Sequence, residues 1–218
     1  MAAIRHFGAE LRIAGEDVAE ATDVAQRAAK DEGLLYVEDG ENLDVLIGCA
    51  TVALEVVEQL PDFELMMVPV GGGNLLAACA LVVKGLRPDA VLVGVQSAAA
   101  PAVYESWRAR HPVRLERCAT FAGGLATRYP GSATFPYILS GVDEMQLVGD
   151  ETLMEAALVM LAETGQLPEG AGAASVAALL AEPERCAGQK VVLLLSGGNF
   201  EPTIWNGVQT ARQAGHGS

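Results

Sequence analysis

Lysine is scarce in this chain. Of 218 residues, only Lys30, Lys84 and Lys190 carry an ammonium side chain. Positive charge is short in general, with 14 Lys and Arg against 28 Asp and Glu and a formal net charge of −14. Nucleic acids and anionic membrane surfaces are themselves polyanions, so this balance argues against both as partners. Aromatic residues make up 5% against a hydrophobic fraction of 51%; a chain this rich in Ala, Val, Leu and Gly is not disordered and suits packed α/β layers. Cys49, Cys79, Cys118 and Cys186 are scattered, with no CxxC pair and no metal-ligand spacing. They read as free thiols of a reducing compartment, with Cys79 in the core. No apolar signal segment opens the chain and no run reaches membrane-spanning length, so a soluble, cytoplasmic protein is expected. His6, His111 and His216 lie near the ends or beside a proline and read as surface residues.

Apolar periodicity orders what is present. The pattern predicts a helical tail at 1–7, a short strand at Leu11–Ala14, an amphipathic helix at Asp17–Asp31 with Val18, Ala21, Val24, Ala25 and Ala28 on one face, and a second short strand at Leu34–Val37. Then follow a helix at Asn42–Leu60, a strand at Glu64–Val70, a helix at Asn74–Leu86 and a strand at Val91–Gln96. That order is a βαβ unit and implies a parallel sheet. Pro101–Arg110 reads as helix and Val113–Ser140 mostly as loop. Met145–Val148 reads as strand, Asp150–Thr164 and Ala171–Ala181 as helices, Lys190–Leu195 as strand and Pro202–Gln213 as a closing helix.

Three glycine-rich junctions carry the chemistry. In LMMVPVGGGNL, Leu65–Leu75, a strand breaks into Gly71, Gly72 and Gly73 and then a helix begins. Strand, glycine turn and helix aim bare amides at an anion, usually a phosphate. A plain flexible turn is the bland alternative. Dinucleotide binding fits poorly, because GxGxxG is absent and the next strand ends at Gln96 rather than an acid; no GK[ST] follows for a nucleoside triphosphate. A small phosphorylated ligand held without lysine or magnesium fits better. Ser196-Gly197-Gly198-Asn199 follows the last strand. Without GxSxG or a histidine partner, Ser196 reads as a hydrogen-bond donor at a strand end, or as an ordinary turn serine, rather than as a nucleophile. Glu169 precedes GAGAAS, where small residues permit close packing and a carboxylate is a natural helix cap.

Taken in order, VPVGGGNL, PEGAGAAS and VVLLLSGGN, supported by IRHFGAEL, GCATVALEVVEQLP, VLVGVQ and TFAGGLATR, resemble the fold-type II pyridoxal-phosphate enzymes, in the threonine/serine dehydratase and serine racemase branch. The resemblance covers nearly the whole chain. It implies an α/β fold: a parallel-sheet three-layer αβα large domain of the tryptophan synthase β-like architecture over residues 41–218. Residues 1–40 would be the remnant of a small, substrate-binding domain. It implies pyridoxal 5'-phosphate as cofactor, its phosphate wrapped by Gly71, Gly72, Gly73, Asn74 and Leu75, its pyridine nitrogen facing Ser196 in the turn with Gly197, and Glu169 beside the ring. A hydroxyl at that nitrogen leaves it largely neutral, which favours prompt elimination. The implied reaction is loss of water from a β-hydroxy amino acid, giving a 2-oxo acid and ammonia.

The departures from the family pattern are as informative. Family members carry the Schiff-base lysine in a motif like SFKxRG, followed by an SxGN loop, and neither occurs here. Lys84 lies ten residues down the helix from the glycine turn, roughly 15 Å away. Lys190 lies at the far end of its strand, roughly 17–20 Å from Ser196, and Lys30 is on a separate helix. No catalytic residue is therefore expected in this chain, and covalent cofactor attachment is not expected. Asn74 stands for a fourth glycine, which its tolerance of left-handed angles allows. Ala122-Gly123-Gly124 stands where the racemase branch has Ala-Asp-Gly, so no metal is expected. The reading is a truncated portion, inactive alone, that forms a homodimer or is complemented by an N-terminal chain. Its alternatives are a non-catalytic relic that binds pyridoxal phosphate or a partner, and a generic phosphate binder. A truncated small domain should leave an exposed sheet edge and uncovered apolar surface.

Overall fold

The structure is a computed structural model and describes residues 2–199; the helix expected at Pro202–Gln213 lies outside them. The chain divides into two compact units, Met1–Val37 and Glu38–Ser218.

In the first unit, α1 (Ala2–His6) is followed by Gly8 at φ 82°. Helix α2 (Val18–Glu32) starts at Asp17, whose side chain accepts from the Glu20 amide at 3.1 Å, and stops at Gly33 in the left-handed region. The Arg12 guanidinium donates to Glu10 at 2.7 Å and to Glu32, and holds the Glu32 carboxyl below its usual range. One expectation fails here. Leu11–Ala14 and Leu34–Val37 form no strand, so among the described residues this unit has no small sheet with an edge. A strand is stabilised by its ladder partner, which an apolar run cannot supply by itself. On the apolar face of α2, Val18 is 69% exposed, and Ala19 and Ala29 are the buried positions, so apolar surface is uncovered in this unit, as expected. Leu35 is 88% exposed.

The second unit is built on four parallel strands: β1 (Leu65–Pro69), β2 (Val91–Ser97), β3 (Glu144–Val148) and β4 (Val191–Leu193), in the order β3-β2-β1-β4. Leu65 pairs with Val91 on one side and with Val191 on the other. All of β1 is buried, which is why it reads as an unbroken apolar run rather than an alternating one. Leu65 and Met67 join the core under α7 (Asp150–Thr164) and α8 (Ala174–Ala181). Met66 and Val68 join the opposite core with α3 (Leu43–Gln59), α4 (Asn74–Leu86) and α6 (Phe135–Gly141). Helices thus cover both faces of the sheet, the three-layer αβα arrangement. Helix α5 (Ala102–Ala109) follows β2 and the short α9 (Pro183–Cys186) precedes β4. Between α5 and α6 the chain is loop, apart from one 3-10 turn at Gly123–Leu125. Cys79 is fully buried on α4, and burial pushes its thiol up to about 12.

Two boundaries differ from expectation. Strand β4 is shorter than Lys190–Leu195, because it is the edge strand and its ladder ends at the Met67–Leu193 pair. Helix α8 begins at Ala174 rather than Ala171, since residues 170–173 form a turn. Ala174, Ala177 and Ala178 are fully buried; their small side chains let α8 lie close against the sheet. Ser175 fastens it there, its hydroxyl lying 2.9 Å from the Met67 carbonyl and 3.1 Å from that of Leu194. We predict that Ser175→Ala costs about 1–2 kcal/mol in urea denaturation, because the Met67 and Leu194 carbonyls lose the hydroxyl they share.

Candidate functional site

The site sits at the C-terminal ends of β1 and β4, where their chains turn. After β1, the Val70 amide donates to the Val95 carbonyl at 2.8 Å. The next three carbonyls are each taken by the protein. Gly71 O accepts from Gln96 Nε2 at 3.4 Å, Gly72 O from the Gly131 amide at 2.9 Å, and Gly73 O from the Ala77 amide at 2.9 Å. Gln96, fully buried, is thus a brace for the glycine turn. The first amides of α4 have no intrahelical acceptor, and Gly73 at the N-cap supplies no side-chain cap. These amides and the helix dipole favour an anion. Gly73 has φ 99°, and a Cβ there would meet Ile138 Cδ1 at 2.5 Å. It is Gly73, not Asn74, that occupies the left-handed region; Asn74 is the first helical residue. The tolerance argued for Asn74 therefore has no bearing, because the turn is completed one residue earlier.

Four loop ends meet backbone to backbone beneath this turn. A Cβ on Gly71 would lie 2.3 Å from the Gly124 carbonyl oxygen, one on Gly124 would lie 2.7 Å from Ala171 Cβ, and one on Gly172 would lie 2.3 Å from the Gly197 carbonyl oxygen. Asp150 of α7 anchors the loop before Gly124, accepting from Thr120 Oγ1 at 2.7 Å, from the Phe121 amide at 3.2 Å and from Ser97 Oγ at 3.2 Å. The Glu169 amide donates to Gly197 O at 3.1 Å. The Glu169 carboxylate lies beside Gly197, where a Cβ would fall 2.2 Å from Oε1. The N-cap position of α8 is Ala173, which makes no side-chain capping bond, and the Ala173 amide donates to the Glu169 carbonyl at 3.1 Å.

A cleft of about 200 Å³ results, and Gly71, Gly72, Gly73, Asn74, Leu75, Glu169 and Ser196 all line it. Gly197 does not; it packs against Glu169 and Gly172. The lining also includes Asp39 and Gly124, which the motif reading did not select. The Gly-Gly pair in TFAGGLATR was a legible signal for Gly124, whereas the acidic run around Asp39 has no pattern to mark it. Asn74 is 3% exposed. Its side-chain amide donates to Cys49 Sγ at 3.2 Å and is hydrogen-bonded to Asp39. Its Oδ1 has no partner among the described residues. Desolvation by the surrounding walls, and then the Glu38 charge, push the Asp39 carboxyl above its usual range, against the pull of the Asn74 bond. Desolvation and the Asp39 charge likewise raise the Cys49 thiol.

No lysine lines the cleft. Lys84 is held by Asp143 at 2.6 Å and the Ala90 carbonyl at 2.8 Å, Lys190 pairs with Asp62, and Lys30 is exposed on α2. Among the described residues no His, Cys, Asp and Glu cluster is placed to hold a metal ion. Nor is any described helix long and apolar enough to cross a membrane.

This fold has counterparts among known proteins. The chain belongs to the family of pyridoxal-phosphate dependent enzymes, whose sequence profile matches residues 1–197. An L-threonine ammonia-lyase of Geobacter sulfurreducens is 38% identical over 199 residues, which are 91% of this chain and 50% of that protein. The processed form of threonine deaminase isoform 2 from Solanum lycopersicum superposes with a TM-score of 0.89 at 28% identity, covering 96% of this chain and 58% of that one. Maize serine racemase shares the fold, with a TM-score of 0.83 at 24% identity over 98% of this chain and 66% of that one. The chain spans about half the length of the curated relatives it matches.

Pyridoxal 5'-phosphate is the cofactor this family implies. The residues present fit its phosphate, through uncapped amides beside glycines. At Gly72 a Cβ would meet nothing within 4 Å, so that side of the turn is open. Ser196 offers a hydroxyl in the same cleft. For the aldehyde carbon these residues supply no amine. Gly71→Ala is predicted to force the Gly124 loop away and cost about 1–3 kcal/mol by overpacking, whereas Gly72→Ala leaves the unfolding midpoint unchanged; urea titrations of the two variants make the comparison.

Proposed function

We propose that these residues form the cofactor-binding portion of a threonine/serine dehydratase-like lyase, which removes water from a β-hydroxy amino acid and yields a 2-oxo acid and ammonia. The observation that carries this reading is the convergence of the glycine turn, Glu169 and Ser196 on one cleft, in a chain of the family to which threonine ammonia-lyases at 36% and 38% identity belong. When bound, pyridoxal phosphate supplies the electron-withdrawing ring that acidifies a substrate Cα–H. The amides of Gly72–Leu75 would hold the phosphate. Ser196 would offer the ring nitrogen a neutral hydroxyl, where a carboxylate would favour an extra proton there. Glu169, beside Gly197, would lie near the ring. The proton transfers at Cα need a lysine that these 218 residues do not place in the cleft, so by themselves they are inactive.

The absence of a cleft lysine also favours a second reading, a non-catalytic member that binds pyridoxal phosphate or a partner. Exposed Leu43, Ile47 and Leu54 along α3, and exposed Phe7, Ile13 and Leu35 in the first unit, support association with a second copy or with a chain that supplies the lysine. One experiment addresses the site. The purified chain is incubated with pyridoxal phosphate, reduced with borohydride and mapped by mass spectrometry, then assayed with threonine and serine. No pyridoxyl adduct at Lys30, Lys84 or Lys190, and 2-oxo acid release at background, is the expected result. A stoichiometric lysine adduct with turnover would overturn the inactivity. Binding of simple phosphates but not of pyridoxal phosphate would favour a generic phosphate site.

A further inference from the structure

Asp150 opens α7, but its carboxylate reaches out of the helix. Oδ1 accepts from Thr120 Oγ1 at 2.7 Å and from Ser97 Oγ at 3.2 Å, and Oδ2 accepts from the Phe121 amide at 3.2 Å. The two hydroxyls extend the order further. Ser97 Oγ accepts from the Ala99 amide at 3.2 Å, and Thr120 Oγ1 from the Ala122 amide at 3.1 Å. Ser97 is buried at the end of β2, in register with Val148 of β3, so the carboxylate ties the 120–122 loop to the C-terminal ends of these strands. The loop so held is a spacer. A Cβ on Gly170 would fall 2.7 Å from Phe121 Cε2 and 2.9 Å from Ala122 Cβ, while Gly124 abuts Ala171 on one side and Gly71 on the other. One short segment thus lies between the anion turn at Gly71–Gly73 and the turn that follows Glu169. A carboxylate at a helix start also complements the helix dipole, but Glu151 in the same first turn serves that role.

We propose that Asp150 is a positioning residue of the cofactor cleft: acting through Thr120 and Phe121, it sets the spacing between the anion turn and the Glu169 turn. The inference rests on the cofactor-site reading above. Asp150 stands outside the residues that line the cleft, whereas Gly124, Gly71, Glu169 and Ala171 are among them, so it acts on a ligand through the loop. A ligand with a phosphate at one end and a ring at the other meets both turns, and its binding depends on their spacing. Inorganic phosphate meets the glycine turn alone. That turn has its own braces, the Gln96 side chain and the Gly131 and Ala77 amides, and none of these runs through the 120–124 segment. Without the carboxylate, the segment is ordered only when the ligand arrives, and that ordering lowers affinity. A bare charge effect has the opposite sign, since removing an anion from the neighbourhood of the seat strengthens the binding of any phosphate.

Calorimetric titration of the whole purified chain with pyridoxal 5'-phosphate and, separately, with inorganic phosphate tests this in the wild type, Asp150→Ala, Asp150→Asn and Thr120→Val. Asp150→Ala is expected to bind pyridoxal phosphate about tenfold more weakly, while its affinity for inorganic phosphate stays within about twofold. Asp150→Asn should stay within about twofold for both, because its Oδ1 still accepts from the Phe121 amide and its Nδ2 donates to hydroxyls that rotate to receive it. Thr120→Val keeps the side-chain shape and loses the hydroxyl; a loss of about threefold or more for pyridoxal phosphate alone is expected, and this variant carries the test where Asp150→Ala does not fold. Equal losses for the two ligands would mark general destabilisation and overturn the positioning role. Unchanged affinity for pyridoxal phosphate in folded Asp150→Ala, or tighter binding of both ligands, would overturn it as well and leave the cofactor site standing. Failure of the wild type to bind pyridoxal phosphate would instead overturn the cofactor-site reading, and this inference with it.

Discussion

The site depends on backbone meeting backbone. Gly71 against Gly124, and Gly172 against Gly197, approach so closely that a Cβ at either glycine would lie 2.3 Å from a carbonyl oxygen. That contact is steric and admits no compromise by side-chain rotation, because the opposing atoms belong to the main chain. It draws the ends of β1 and β4, the loop ahead of α6 and the turn ahead of α8 into one place. The carbonyls of Gly71, Gly72 and Gly73 are then each taken by Gln96, Gly131 and Ala77, and the turn is held with its carbonyls committed to the protein and its following amides uncommitted. Everything the cleft can do to an anion follows from that division.

The electrostatics of the cleft follow from its composition as well. A phosphate seat with lysine or arginine attracts any anion at long range. Here the attraction comes from oriented amides and a helix end, effective within the first turn, while Asp39 and Glu169 bring negative charge to the lining. Recognition in such a place is short-ranged and directional, governed by which ligand atoms donate and which accept. The commitment of Lys84 and Lys190 to Asp143 and Asp62, outside the lining, belongs to that pattern.

Much of the second unit was legible in the chain. Strand β1 is buried on both faces and therefore spelled as a continuous apolar run, and a glycine triplet between it and an apolar helix has few other uses. The mostly loop reading of 113–140 also holds, apart from α6 at its end and one short turn. The first unit was less legible. Leu11–Ala14 and Leu34–Val37 have the composition of strands, but strand formation is decided by a partner, and composition carries no information on the partner. Helix α2 was legible as an amphipathic pattern, but the pattern does not say what, if anything, covers its apolar face, and Val18 is 69% exposed. Asp39 escaped notice because one aspartate in an acidic run has no periodicity, and because its relation to Asn74 spans 35 positions of intervening chain.

The residue order alone determined the alternation of strand and helix, the parallel sheet and the glycine turns, since these are properties of neighbouring residues and of conformations only glycine adopts freely. It also determined that lysine would be nearly absent. Which residues face one another was decided by the tertiary structure. The folded sheet brings Gly71, Gly124, Glu169 and Ser196 to one cleft and places Asp39 beside Asn74. Such relations arise from packing between segments far apart in the chain, where the energy of each contact depends on a neighbour that local sequence does not name.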